Sequence, residues 1–273
     1  MSTYIEEKRK VTSHILWEMK QRGEKISMLT AYDYSMARII DQAGIDCILI
    51  GDSASNTMAG NATTLSITLD QMIYHAKCVV QGVENAFVIA DMPFGTCSGD
   101  PLKSLSSAIR MMKETGVNAI KIEGGKEIQE DIRKIIDAGI PVMAHLGLMP
   151  QSINKYGTYG VRAKDEKEAK KLIEDCLLME ELGCFGILLE KIPASLASII
   201  SRKIKIPTIG IGAGNGTDGQ VLVIQDAMGM NENFAPKFVR RYADLESTMR
   251  EATLNYIQDV KTSSFPNESE SYK

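Results

Sequence analysis

Two hydrophobic periods alternate along the chain. Short apolar runs bounded by turn residues are separated by longer stretches in which apolar residues recur at helical spacing. The runs Ile26–Ala31, Cys47–Gly51, Phe87–Asp91, Ala119–Glu123, Pro141–Leu146, Gly186–Glu190, Pro207–Gly212 and Val221–Gln225 read as strands. They are near-continuously apolar, as strands of a parallel sheet covered on both faces are. Four of the helical stretches end at a glycine, Gly44, Gly116, Gly139 or Gly183, just ahead of a run. Glycine after a helix takes the left-handed conformation that closes it. Helix starts are marked by Asp100-Pro101, an N-cap followed by a first-turn proline, and by capping-box spacing at Thr68/Gln71 and Asp165/Glu168.

Strand and helix in strict alternation imply parallel strands with right-handed crossovers. Eight strands in 273 residues favour a closed α/β barrel of the (βα)8 TIM type over a doubly wound sheet. A helical segment over about 11–22 precedes the first strand, placed to plug the barrel's lower end or pack on a neighbour. A C-terminal helix over about 243–260 follows the last strand, ahead of a polar tail, 262–273, expected to be loosely ordered. No Pro/Gly/Ser-rich linker divides the chain, so a single domain over 1–273 is expected.

Composition narrows the function class. A net charge of −4 gives no electrostatic reason to expect nucleic acid or an anionic membrane as partner. The first residues, MSTYIEEKRK, are too charged for a secretory h-region, and no apolar run reaches membrane-spanning length, so a cytoplasmic protein is expected. The five cysteines are odd in number, without CxxC or metal-finger spacing, and read as reduced core residues. The fifteen methionines read as core gap-fillers.

The candidate chemistry stands at the strand ends. Asp52, Asp91, Glu123, His145 and Glu190 each close an apolar run. Parallel barrel strands bring their carboxyl ends to one face, where barrel enzymes keep their active sites. Asp52, Asp91 and Glu123 end three successive strands, and three carboxylates in a semi-dry mouth stay ionised only if a cation joins them. Oxygen ligands without cysteine point to a hard ion, Mg²⁺ above others. For any single acid the alternative is helix capping or pairing with a basic loop residue. Lys121 lies two residues before Glu123 and so on the same side of its strand. A substrate carboxylate or a barrel acid would satisfy it equally. Ser53 is a substrate donor or a cap for the next segment. Glu190, after Gly-Ile-Leu-Leu, is expected in apolar surroundings that raise its pKa and suit it to act as general base. His145 is the one histidine at a strand end, fit to orient a carbonyl or shuttle a proton, while His14 and His75 fall in helical pattern.

The segment Gly214–Gly219 fits GxGxxG, but an apolar strand follows it instead of a helix, so the mechanism behind dinucleotide binding is missing. Taken together, the residues suggest a divalent ion chelating a 2-oxo acid, a base removing the C3 proton, and an enolate attacking an electrophile that composition leaves open.

The motifs MLTAYD, ILIGDS, ITLDQMIYH, ADMPFG, KIEGG, HLGLMPQS, IPTIGIGAG, TDGQVLV and FAPKFVRRYADL, in this order and spacing, resemble the ketopantoate hydroxymethyltransferase family from about Lys8 to the tail. The resemblance implies a (βα)8 barrel of the phosphoenolpyruvate/pyruvate superfamily that requires Mg²⁺ and takes 5,10-methylenetetrahydrofolate as co-substrate. It implies hydroxymethylation of 3-methyl-2-oxobutanoate on the pathway to pantothenate, and a homo-oligomer, in this family a decamer. By matching position, the resemblance implies that Asp52 and Asp91 would hold the metal and Glu123 would complete its shell. Asp52, Ser53, Asp91, Lys121 and His145 would meet the 2-oxo acid, and Glu190 would accept the proton. The family pattern GDSLGM reads here Gly51-Asp52-Ser53-Ala54-Ser55-Asn56, and the proline of STLPVT is Ser66. Ala144 and Met149 replace a more usual Gly and Thr. These departures make the wall beside the metal more polar and bear on the substrate's alkyl group. Two other readings remain: a paralogous Mg²⁺-dependent aldolase or lyase acting on a different 2-oxo acid, and a barrel kept for binding alone, against which the intact charged set argues.

Overall fold

The structure, a computed structural model, describes residues 10–231 and 236–272. The charged N-terminal stretch through Arg9, residues 232–235, which include the first two of the FAPKFVRRYADL motif, and the last tail residue lie outside the described residues. Eight strands, β1 (Ile26–Thr30), β2 (Cys47–Ile50), β3 (Phe87–Asp91), β4 (Ala119–Glu123), β5 (Val142–Gly147), β6 (Gly186–Glu190), β7 (Thr208–Ile211) and β8 (Gly219–Leu222), follow one another around a closed barrel. Every neighbouring pair is parallel, and β8 pairs with β1 to close the ring.

The helix ends form largely as the sequence predicts. Thr68 and Gln71 make the reciprocal capping box, Asp100 caps the helix Pro101–Thr115, and Gly116 and Gly183 close their helices at positive φ. Asp165 caps through the Glu168 N–H. The Glu168 carboxylate does not return to it, and instead accepts from Arg162 and the Ala163 N–H. One strand differs from expectation. β8 begins at Gly219 and ends at Leu222, because Ile224–Ala227 is helical and takes Gln225 with it. Gly219 lies so close to β1 that a Cβ there would meet the Ile26 carbonyl oxygen at 2.4 Å, so glycine permits the pairing to start early.

Strand periodicity of two sorts the side chains. Cys47, Leu49, Phe87, Ile89, Ala119, Met143, Leu188, Ile209 and Val221 form one buried cluster inside the ring. The helix Ser13–Arg22 contributes Leu16 and Met19 to that cluster, so it plugs the barrel, and Lys20 fixes it through Asp218 at 2.9 Å and the Ser201 and Ile206 carbonyls. Each fully buried side chain of this size is worth about 1.5–3 kcal/mol. Continuing the same alternation upward, β3 presents Asp91, β4 presents Lys121 and Glu123, β5 presents His145 and β6 presents Glu190. The core and the polar mouth are thus successive levels of one pattern.

The chain has two compact units, the barrel through Val223 and a second from Ile224 onward. The second contains the helices Ile224–Ala227 and Leu245–Lys261. In the tail, Asn267 and Glu270 make a reciprocal capping box over a 3-10 turn, Glu268–Glu270.

Candidate active site

At the carboxyl end of the barrel the charged side chains form one connected set. Asp52 directly follows Gly51, and its backbone N–H donates to Asp91 Oδ2 at 3.0 Å. The Lys121 ammonium lies 3.0 Å from Asp91 Oδ1 and 2.9 Å from His145 Nδ1. Strand register explains this, since Asp91 pairs with Lys121 and Glu123 with His145 in adjacent strands. His145 Nδ1 is 3.4 Å from Glu123 Oε1, and on the far side its Nε2 is 3.2 Å from Glu190 Oε2. Asp52, Asp91, Lys121 and His145 are all buried. Glu190 is the most open of the set, with a side chain 16% exposed. The apolar surroundings expected for Glu190 are therefore interrupted by an imidazole from β5.

Burial and crowding govern the protonation of this set. Burial, then the charges of Asp91 and Glu123, push Asp52 up to about 8. Burial also raises Asp91, against the pull of Lys121. At Glu123 burial is outweighed by His145 and Lys121, and its carboxyl is held below the usual range. Lys121 is raised despite burial, because Asp91, Glu123 and Asp52 surround it, so it stays an ammonium. For His145, burial and Lys121 oppose a second proton while Glu123 and Glu190 favour it, lifting the ring to about 9. The contact geometry decides between the two forms. An ammonium only donates, so at 2.9 Å the Nδ1 lone pair faces Lys121 and the ring proton is on Nε2, 3.2 Å from Glu190 Oε2 but without an aligned hydrogen bond.

The set fits a hard divalent cation. Asp91 Oδ1 and Glu123 Oε1 are buried without an aligned hydrogen bond, although Lys121 is close to the first. Burial and the neighbouring Asp91 and Glu123 charges raise the pKa of Asp52 in spite of Lys121, a penalty on its ionised form that a bound cation would relieve. The free donors are oxygens, the preference of Mg²⁺. Among the described residues no three His, Cys, Asp or Glu side chains stand grouped as a finished metal cage. Mg²⁺ does not ask for one, being bound by one or two carboxylates with water and substrate completing the octahedron.

Two residues in the set escape sequence reasoning. Tyr32, buried after β1, has its hydroxyl 2.8 Å from Ser53 Oγ, so Ser53 has a partner at the mouth. Gln151 lies on the 3-10 turn Pro150–Ser152 after β5, and its amide reaches Asp52 Oδ2 at 2.8 Å. HLGLMPQS placed this residue near the mouth, but nothing in its type announced a contact 99 positions away. Beside the set opens a cavity of about 500 Å³, lined among others by Glu123, Gln151, Phe94, Lys155 and Tyr156.

Two of the departures from the family pattern, Ser55 and Ser66, meet one another. Ser55 Oγ donates to the Thr63 carbonyl at 2.8 Å, lies 3.2 Å from Ser66 Oγ and accepts from Asn61 Nδ2 at 3.2 Å. Ser55 and Ala54 are fully buried. The Ser55 hydroxyl is thus engaged within its own loop, while Asn56 is half-buried and Ser66 exposed. The Gly214–Gly219 loop leads into β8, as its sequence suggests, and Gln220 Nε2 donates to the Gly214 carbonyl across it.

A closed (βα)8 barrel with buried acids, a lysine and a histidine converging at its C-terminal mouth defines an α/β-barrel enzyme. Comparison with known proteins narrows the class. Residues 10–268 match the family described as ketopantoate hydroxymethyltransferase, and the chain belongs to that family. It is 64% identical to the 3-methyl-2-oxobutanoate hydroxymethyltransferase of Bacteroides fragilis and 62% identical to that of Porphyromonas gingivalis, over the full length of each. Among solved structures, phosphonopyruvate hydrolase in complex with oxalate and Mg²⁺ superposes with a TM-score of 0.62 at 11% identity, covering 95% of this chain and 93% of that one. 2,3-Dimethylmalate lyase does so at 0.59 and 16%, covering 96% and 91%. These two share the fold. Among the described residues, no helix is long and apolar enough to cross a membrane.

Proposed function

We propose that the chain transfers a hydroxymethyl group from 5,10-methylenetetrahydrofolate to 3-methyl-2-oxobutanoate, giving 2-dehydropantoate for pantothenate and coenzyme A synthesis. The observation that carries this reading is the pairing of a two-acid oxygen set, Asp52 and Asp91, with a separate carboxylate, Glu190, reached through His145. Asp52 and Asp91 would hold Mg²⁺, with Glu123 completing its shell. When bound, the ion supplies the positive charge that stabilises negative charge developing on the oxygens of a 2-oxo acid.

The protein's own groups do the rest. Lys121, a fixed ammonium, and Ser53 face the substrate's carboxylate and keto oxygens. Glu190 Oε2 takes the C3 proton, and the Nε2–H of His145, 3.2 Å away, orients that carboxylate. The substrate loses its C3 proton and gains a carbon from the folate and a hydroxyl from water, which leaves tetrahydrofolate. The cavity of about 500 Å³ beside Glu123 gives a second reactant room next to the mouth. By family likeness the chain works as a cytoplasmic homo-oligomer, a decamer.

Incubation with 3-methyl-2-oxobutanoate, Mg²⁺ and 5,10-methylenetetrahydrofolate tests this directly. NMR should follow the C3–H signal as it gives way to a hydroxymethyl CH₂. Consumption of the oxo acid by cleavage, without folate, would favour the aldolase or lyase reading instead.

A further inference from the structure

We infer that Gln151 is a positioning residue that sets the carboxylate of Asp52 for the metal, an inference resting on the Mg²⁺ reading above. The argument begins with what holds each acid. Asp91 and Glu123 are the last residues of β3 and β4, so the barrel itself fixes their backbones. Asp52 lies beyond the end of β2, at the entry to the short helix Ala54–Thr57, and no strand neighbour fixes its side chain. Gln151 supplies what is missing. Its Nε2 donates to Asp52 Oδ2 at 2.8 Å and to the Met92 carbonyl at 3.0 Å, spending both amide hydrogens. Its backbone N–H donates to Glu123 Oε2 at 2.9 Å.

One residue from the β5 side thus touches the ends of β2, β3 and β4. The amide orientation is fixed by its surroundings. Both groups facing Nε2 are oxygens, and the reversed amide would set oxygen against oxygen. A carboxylate held on one oxygen by a neutral donor keeps its other oxygen free for a cation, and outer-shell donors of this kind are worth 10–100-fold in metal affinity. A lysine or arginine at this place would compete with the ion; an amide does not.

The test is Mg²⁺ binding to protein stripped of metal, followed by titration calorimetry without substrate. Gln151→Met keeps the length and removes both donors, while leaving the backbone bond to Glu123. Gln151→Asn keeps the amide but is too short to span. Both should bind Mg²⁺ about 10–100-fold more weakly than wild type. In metal-free buffer their far-UV circular dichroism should match wild type. Their KM for Mg²⁺ should rise while kcat at saturating Mg²⁺ is largely retained, a split that a merely structural tie would not produce. If Gln151→Met loses secondary structure, Gln151→Asn carries the comparison. Folded Gln151 variants with wild-type affinity, alongside an Asp91→Asn variant that has lost it, would overturn the role of Gln151 and leave the metal site standing. A wild-type protein that takes no Mg²⁺, or an Asp91→Asn variant that binds it normally, would overturn both.

Discussion

His145 Nε2 stands 3.2 Å from Glu190 Oε2, and this contact joins the acid end of the barrel mouth to its open side. Through Nδ1 the same ring meets Lys121 at 2.9 Å and Glu123 at 3.4 Å. With Lys121 an ammonium, the ring's N–H lies on the Glu190 side, and in the proposed reaction His145 orients Glu190 as the base. His145→Gln keeps some polarity but cannot meet Lys121 and Glu190 at once. It should lower kcat by about 10²-fold, the lower end of what positioned proton transfer contributes. Steady-state kinetics at saturating Mg²⁺ checks this; an unchanged kcat would remove the histidine from the mechanism.

The loop around Ser55 makes a different forecast. Ser55 is fully buried and hydrogen-bonds Thr63, with Ser66 and Asn61 against it. Ser55→Ala should cost about 1–3 kcal/mol by leaving buried groups unpaired, seen as a lower melting temperature. The preference for 3-methyl-2-oxobutanoate over its straight-chain and larger 2-oxo analogues should not move, because the hydroxyl does not face the mouth. A changed ranking of substrates would show that the loop sets specificity after all.

Stability against acid should depend on Asp41, far from the chemistry. Its carboxylate accepts from the Glu84, Asn85 and Ala86 N–H groups and from Asn85 Nδ2. Burial opposes ionisation, but these bonds outweigh it and hold the folded pKa below the usual value. A group depressed on folding stabilises fully above its unfolded pKa, about 3.9 for aspartate. That contribution is lost as pH falls through the lower, folded value. Asp41→Asn should therefore lower stability by about 1–3 kcal/mol near pH 7. The gap from wild type should hold constant down to about pH 5 and shrink below about pH 4, where wild type loses the same charge. Urea unfolding at a series of pH values measures it, and kcat should be unaffected.

Much of this molecule is legible in its sequence, and the limits have physical causes. The barrel is readable because both its signals are local: apolar runs for strands, caps and glycines for helix ends. Asp91, Lys121, Glu123, His145 and Glu190 are readable because a charged residue closing an apolar strand needs a reason. The company each keeps is not readable. Glu190 follows Gly-Ile-Leu-Leu, which suggests an apolar pocket, yet its neighbour is set by β5, where Gly147 pairs with Glu190 and His145, two residues back, comes within 3.2 Å of it on the diagonal. Gln151 sits 99 residues from Asp52 and 59 from Met92, and only a folded loop after β5 joins them. The polar Ala54-Ser55-Asn56 segment suggests a changed pocket wall, whereas burial turns Ser55 away from it. β8 moves because Gly219 allows a closer approach than its apolar neighbours indicate.

The division of the mouth into a metal-holding pair and a separate base is the central claim. Proton exchange at C3 of 3-methyl-2-oxobutanoate in D₂O, followed by NMR with Mg²⁺ and without folate, tests it most directly. Wild type should exchange the C3 proton, and Glu190→Gln should lose exchange while binding Mg²⁺ with unchanged affinity. Normal exchange by Glu190→Gln would contradict the account, as would loss of Mg²⁺ binding together with exchange.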